Sequence, residues 1–441
     1  MNRSQLFRNP IRPSPTVTLT PHPPHAHRAT PASICYARSN VLVLFYVLAI
    51  QQLLQGLYSV VQGLGWLRFV RRRLATHAGF YSPRVAVICP CKGADPGLES
   101  NLMALTHFDY PNYELVFVVA KSTDSSVRVI ERIKSLSQRK IHLVIAGPPE
   151  DSGEKVSNLR KAVEGLTEAF DVFVFTDSDI APSRGWLTKL VTPLGNPRVG
   201  ATTTYRWLIP VRRNGKSGLA SAVGSVWNAS VATMLGEHSR NFCWGGGTAI
   251  RRQVFQEIGG LAYWQGVVSD DLTLTNALHH DGRLIEFVPE CLAPTPYATT
   301  WEELLEFTNR QIILTRVYSP TMWTIAAVTN ATYVLTALVA FIVILRQMLA
   351  GEVWGETLML AFAIPLFAAI KGALRTVAIA DLLPEWKPQM RQWAWTWTVL
   401  APVIPFLFFV NFCASLATNQ IRWRGIRYRL ISINQTQVIS R

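Results

Sequence analysis

Charge is scarce in this sequence, and negative charge scarcest. Only 16% of its 441 residues are Asp, Glu, Lys or Arg, and 28 acidic residues stand against 43 basic ones, a formal net charge of +15. A chain so poor in charge and 49% hydrophobic is not composed like a disordered protein, and the expectation moves toward a membrane protein. Cysteine is sparse too. The six (Cys35, Cys89, Cys91, Cys243, Cys291, Cys413) show no zinc spacing, and Cys89 and Cys91 flank one proline, too close for a typical bridge, so all read as reduced thiols. No repeat of fixed period is present, which disfavours solenoids and propellers. The first forty residues lack an apolar run and mix Pro, Thr, His and Arg, which reads as a disordered tail rather than a signal peptide. His22, His25 and His27 are taken there as solvated side chains, not a metal site.

Long apolar runs are what the chain does have. Val41 to Leu67 is long enough to cross a bilayer, although Gln51, Gln52, Gln55 and Gln62 interrupt it. Met322 to Leu345, Val353 to Ile370 and Ala394 to Ala417 are cleaner and are read as membrane segments. The basic residues gather beside these runs: Arg68, Arg71, Arg72 and Arg73 after the first, and Arg422, Arg424, Arg427 and Arg429 in a basic tail, 419–441, after the last. Membrane topology therefore explains the charge without a nucleic-acid partner, and both clusters are placed on the cytosolic side. A cytosolic domain followed by three full spans would leave the C-terminus outside, so one segment is expected to be re-entrant or interfacial. Asn228 and Asn330 match glycosylation sequons by chance on this reading, one in the cytosolic domain and the other in a span.

Between the first run and the last three, about Tyr81 to Pro320, the mixed polarity suits one water-soluble domain. Val85 to Pro90, Glu114 to Val119, His142 to Gly147 and Val172 to Asp177 are short β-branched runs that read as buried strands. Leu98 to Leu105, Ser126 to Ser137 and Asn158 to Glu168 carry apolar positions at helical spacing between them. Strand and helix in alternation predict an α/β domain with a mainly parallel sheet, whose ligands lie beyond the carboxyl ends of the strands. The residues there are Lys92, Asp124, Asp177 and Asp179.

The run Thr176-Asp177-Ser178-Asp179 puts two carboxylates at a strand end. These are hard oxygen ligands suited to magnesium or manganese, which typically bridge nucleotide phosphates; the alternative is an ordinary acidic turn, and the preceding strand favours the metal. Gly245-Gly246-Gly247 would let backbone approach a ligand. Ser269-Asp270-Asp271 opens a helical pattern, Leu272 to His280, either as a cap alone or with Asp271 also serving as a general base. Arg310 and Arg316 stand on an amphipathic helix that begins near Trp301 and ends before Pro320. They are interfacial cations or, for Arg310 above all, a partner for a diphosphate.

The runs from Cys89 to Pro96 and from His107 to Glu114, with the later motifs in the same order, resemble ceramide glucosyltransferases and related bacterial enzymes. The resemblance covers Val85 to Pro320 and extends to Trp423-Arg424-Gly425-Ile426-Arg427-Tyr428-Arg429, similar to the family's closing motif. It implies a glycosyltransferase-A fold between N-terminal and C-terminal membrane helices. It also implies inverting transfer of a hexose, glucose first, from a UDP-sugar donor to a membrane lipid acceptor of ceramide type, with diacylglycerol, hopanoid or other isoprenoid lipids as alternatives. By motif match Asp124, Asp177 and Asp271 are similar to the family's three aspartates and Arg310 to its arginine. The comparison places Lys92, Asp95, Asp124, Lys155, Asn158, Asp177 and Gln311 with the nucleotide-sugar, and Asp177 and Asp179 with Mg2+ or Mn2+. Phe307 and Gln311 depart from the motif's Gln/Arg and Trp, and the missing Trp argues for a single transfer rather than a polymerase. A non-catalytic membrane scaffold is the reading from another class.

Overall fold

The computed structural model describes residues 31–76, 79–166 and 170–440. The tail expected over the first thirty residues, with His22, His25 and His27, lies outside them. The chain divides into two units, residues 1–44 and 45–441. What is described of the first is the start of a long helix, α1 (Pro31–Ala75), which opens on a proline, the residue best suited to a first helical position. It begins inside the stretch expected to be a tail. Everything below concerns the second unit.

A seven-stranded sheet forms its centre. In chain order come β1 (Val85–Pro90), α2 (Leu98–Leu105), β2 (Tyr113–Val119), α3 (Ser125–Leu136), β3 (Ile141–Ile145), α4 (Glu154–Gly165), β4 (Val172–Thr176), α5 (Trp186–Val191), β5 (Val199–Thr203), β6 (Arg206–Pro210), α6 (Gly218–Ala232), β7 (Gly247–Arg251), α7 (Arg252–Glu257), α8 (Gly260–Tyr263), α9 (Asp270–His280), β8 (Leu284–Phe287), β9 (Ala293–Tyr297) and α10 (Trp301–Tyr318). The sheet order is β3-β2-β1-β4-β7-β5-β8, parallel except for β7, which runs against β4 and β5. The α/β class and mostly parallel sheet expected from the sequence are therefore found. β1 and β2 are buried along nearly their whole length, and apolar apart from Glu114 and the prolyl end of β1, because both faces are covered. Ala86, Ile88, Val116, Val118, Phe173 and Phe175 pack on one face, and Val85, Val87, Leu115, Phe117, Val172 and Val174 on the other. Strand order reverses at β1, with β2 on one side and β4 on the other, and this switch point opens a crevice beyond the strand ends. A short parallel pair, β6 with β9, lies beside it.

Among the described residues three helices are long and apolar enough to cross a membrane: the α1 portion Asn40–Ala75, α11 (Pro320–Ala350) and α12 (Gly355–Leu382). The last segment expected as one span is instead broken into α13 (Lys387–Val399) and α14 (Ile404–Ala417), bent by 75°. Pro402 and Pro405 stand at the break, where a proline removes an amide donor and clashes with the preceding turn. Both ends of the bent pair lie beside contacts between other helices and the chain flanking it. Asp381, just before it, is held 3.0 Å from Arg71, and Arg316 of α10 reaches the Thr418 carbonyl just after it, at 3.2 Å. A pair bent in this way is a broken span or a re-entrant loop.

Two expectations change. The basic cluster after α1 ties the helix to the domain rather than flanking it freely: Arg72 pairs with Glu237, and Arg73 with Glu286 at 2.6 Å and Glu290 at 3.2 Å. The basic tail is a three-stranded antiparallel sheet, β10 (Gln420–Trp423), β11 (Ile426–Ser432) and β12 (Gln435–Ser440), whose Ile421, Ile426, Tyr428 and Leu430 complete the core on one face of the central sheet. Its alternating pattern of one buried and one exposed residue is what a half-buried strand needs, and the arginines occupy the exposed positions.

Candidate functional site

The crevice continues into a cavity of about 850 Å³. Its charged end collects residues from five separate elements. Lys92 and Asp95 follow β1, Lys155 and Asn158 stand on α4, Asp177 and Asp179 follow β4, Arg206 opens β6, and Asp270 and Asp271 open α9.

Lys155 is the hub. Its ammonium lies 2.9 Å from Asp177, 3.3 Å from Asp270 and 3.1 Å from the Gly245 carbonyl. Burial alone would lower its pKa, but Asp177, Asp270 and Asp271 raise it well above the ordinary lysine value, so it stays charged. Asp177 is likewise buried, which by itself would raise it; Lys155 and Arg206 outweigh burial and hold it below the usual carboxylate range. Asp270, only 3% exposed, goes the other way: burial pushes it up to about 7, with Lys155 opposing and Asp271 and Asp177 adding to the rise. Gly245 permits this packing, since a Cβ there would fall 2.5 Å from the Lys155 ammonium and 2.6 Å from the Asp270 carboxylate. The glycine run thus makes room for side chains of the site.

Arg206 gave no signal in the sequence. Its Nη2 lies 3.0 Å from Asp177 and 2.9 Å from Asp179, a position of positive charge shared by both carboxylates. Burial would lower the Arg206 pKa, yet Asp179 and Asp177 raise it. The two hard-oxygen groups converge on one point, and the Arg206 guanidinium holds it, so a divalent cation would bind Asp177 and Asp179 only with Arg206 moved aside. Among the described residues no group of three or more His, Cys, Asp or Glu gathers to hold a metal without help, so a cation here would take its remaining ligands from substrate oxygens and water.

Asp270 and Asp271 both line the cavity, but Asp270 is buried while Asp271 is partly exposed. Its Oδ2 accepts from the Gly245 amide at 3.2 Å, and its Oδ1 accepts from the Leu272 amide at 2.8 Å and the Ser269 hydroxyl at 2.5 Å. Ser269 also caps the helix, so the capping reading holds, with Asp271 oriented beside it. Arg310 lines the cavity from α10 with Gln311; it donates to the Arg422 carbonyl at 3.1 Å and lies 5.5 Å from the Trp423 ring and 5.6 Å from the Phe307 ring. It has no ion pair among the described residues, and burial lowers it to about 10. A half-buried guanidinium without an ion pair is a ready anion site.

Asp124 is not brought into the cavity. It caps α3, accepting from Ser126 and from the Gly93 amide at 2.9 Å, and despite the opposing effect of burial these donors hold it below its ordinary value. It follows β2, one strand away from the switch point, and acts on the site through the Lys92-Gly93 loop. Lys92 pairs with Glu154 at 2.9 Å and Asp95 with Arg424. Asn158 is buried with its Oδ1 unpartnered beside the cavity.

The other end is apolar. Leu208, Val211, Val231, Met234, Phe242 and Phe307 wall it, and Met322 brings it against α11. Two buried polar atoms there, Trp227 Nε1 and Asn228 Oδ1, have no partner in the protein. Buried polar groups are nearly always satisfied, so a donor and an acceptor left open in one cavity mark a place for a polar ligand group. At 1% exposed, Asn228 is sealed from any modifying enzyme, as its chance sequon implies. The thiols of Cys89 and Cys91 lie 4.0 Å apart and unbridged.

A model of glycosyl transferase family 21 matches residues 45–435. Among solved structures, mannosyltransferase PcManGT from Pyrobaculum calidifontis, in complex with GDP-Man and Mn2+, is 18% identical, with 83% of this chain and 99% of that one covered at a TM-score of 0.43. Glucosyl-3-phosphoglycerate synthase from Mycobacterium tuberculosis, in complex with Mn2+ and UDP-glucose, is 15% identical over 56% of this chain and 81% of its own, at a TM-score of 0.35. At that identity and score neither says what this chain binds.

Proposed function

The chain belongs to glycosyl transferase family 21, and on that premise we propose that it is an inverting hexosyltransferase that moves glucose from UDP-glucose to the hydroxyl of a ceramide-type membrane lipid. One observation carries this reading: a single cavity has a diphosphate-suited cluster of paired charges at one end and apolar walls reaching a candidate membrane helix at the other. An amphiphilic acceptor needs that combination, because its headgroup must meet a charged donor while its chains stay in the bilayer.

The donor's diphosphate lies among Lys92, Lys155, Arg206 and Arg310. Arg310, unpaired and half-shielded by two rings, stabilises the charge that develops as UDP leaves. Asp271, held by three hydrogen bonds, takes the proton from the acceptor hydroxyl as its oxygen attacks the sugar carbon; the bond to the UDP oxygen breaks on the opposite face, giving a β-linked glycolipid. Asp270 keeps Lys155 in place behind it. A Mg2+ or Mn2+ ion, held by Asp177 and Asp179, would supply further positive charge to the diphosphate. Trp227 and Asn228 offer the acceptor headgroup a donor and an acceptor. The arginines that end α1 and line the C-terminal sheet support a catalytic domain on the cytosolic face, with α1, α11 and α12 crossing and the α13–α14 pair re-entering.

The test is UDP release from UDP-glucose by membranes carrying the protein, with ceramide, diacylglycerol or a hopanoid added and the lipid products resolved, for wild type and Asp271→Asn. Turnover that needs ceramide and vanishes in the variant supports the reading. Turnover with another lipid reassigns the acceptor, equal rates in both proteins remove Asp271 as base, and no turnover with any sugar donor leaves a scaffold.

A further inference from the structure

Among the described residues, Arg424 is the one non-glycine with a left-handed backbone, at φ 49°. It forms a two-residue turn with Gly425, φ 84°, between β10 and β11. Turns of this kind favour Asn-Gly, because any larger side chain at the first position is strained. For the fold alone, Asn would serve better. The contact Arg424 makes does not account for the strain: its partner Asp95 is 52% exposed and Arg424 itself 41%, and ion pairs that open to water contribute little. Strained residues held by a well-packed surround are found at ligand sites, and the surround here is firm. Tyr428 of β11 accepts from the Glu154 amide at 3.2 Å, and the Asn434 carbonyl fits against Gly266 so closely that a Cβ there would lie 2.2 Å from it.

The turn points into the cavity, and Arg424 and Trp423 both line it. Asp177 and Asp179 act on the Arg424 guanidinium, and Arg310, the unpaired cation, is its neighbour with Trp423 at its side. Two guanidinia meeting at the end of a cavity whose acids are already matched by Lys155 and Arg206 call for an anion with several oxygens.

We propose that Arg424 is a donor-binding residue: the C-terminal hairpin delivers its guanidinium to the diphosphate of the nucleotide, with Asp95 holding it in register until the nucleotide arrives. This rests on the nucleotide-diphosphate reading above. It also explains why the last twenty residues form a sheet docked on the catalytic domain.

The experiment compares UDP binding by calorimetry, with and without Mn2+, and thermal stability for the full-length protein in detergent, as wild type, Arg424→Asn and Arg424→Lys. Arg424→Asn is expected to unfold at the same or a higher temperature, since it suits the turn, while its Kd for UDP rises tenfold or more; Arg424→Lys recovers part of the affinity. A merely structural role would move stability and leave affinity unchanged, and Arg424→Asn binding UDP as tightly as wild type overturns the inference. Should Arg424→Asn not fold, Arg424→Gly relieves the same strain and is read in the same way. Wild type that binds neither UDP nor GDP sinks the nucleotide-diphosphate reading and this inference with it.

Discussion

The two ends of the cavity are built by opposite means. At the charged end nearly every side chain has a partner in the protein: Lys155 and Arg206 meet Asp177, Asp179 and Asp270, and Lys92 meets Glu154. At the apolar end the polar atoms of Trp227 and Asn228 are left open, and the walls are helix side chains. Buried charges are costly unless compensated, so all of these but Arg310 are matched before a ligand arrives, whereas apolar walls carry no such penalty. The charged end is thus preorganised for a ligand of fixed chemistry, and the apolar end is free to suit whatever chains the acceptor brings.

The sharpest way to break this contrast is at the junction. Asp271→Asn is expected to lower kcat by about 10²–10⁴ and to leave UDP binding intact, measured by turnover and calorimetry on the same preparation. Arg310→Ala comes next, with a loss of about 10²–10³ in kcat/KM for the donor and partial recovery in Arg310→Lys. Asp270 tests whether charge compensation is complete. Its folded-state pKa is raised to about 7, so between the unfolded carboxylate value and pH 7 the folded chain keeps a proton that the unfolded chain has lost. Stability from this group is full below about pH 4 and is lost as pH rises through 7. Asp270→Asn should flatten that slope in thermal melts across the window, run with a chelator present. The smallest effect is expected at the apolar end, where Val231→Trp narrows the wall: KM for a long-chain acceptor should rise about tenfold, and UDP affinity should not change. A change in UDP affinity there would mean that the two ends are not separate.

Much of the charged end could be read from the chain, because each parallel strand ends in the residue that serves the site. Asp177, Asp179 and Lys92 were legible for this reason and Asp271 behind its cap, whereas Lys155, on α4, came only from the family resemblance. Asp124 lies outside the cavity lining because position after a strand does not reveal which strand borders the switch point. Arg206 was invisible, since it opens a two-stranded pair that only the fold lays across Asp177 and Asp179. Arg424 sat in a motif whose order was clear and whose task was not.

The sequence by itself determined the alternation of strand and helix, the apolar spans and the acidic strand ends, because these are written in local periodicity and composition. Only the tertiary structure decided which cations neutralise those acids, that the last span is bent, and that the basic C-terminal segment is a sheet closing the cavity. Each of these depends on residues far apart in the chain meeting in space: Arg424 and Asp95 are separated by 329 positions, and no local pattern records such a meeting.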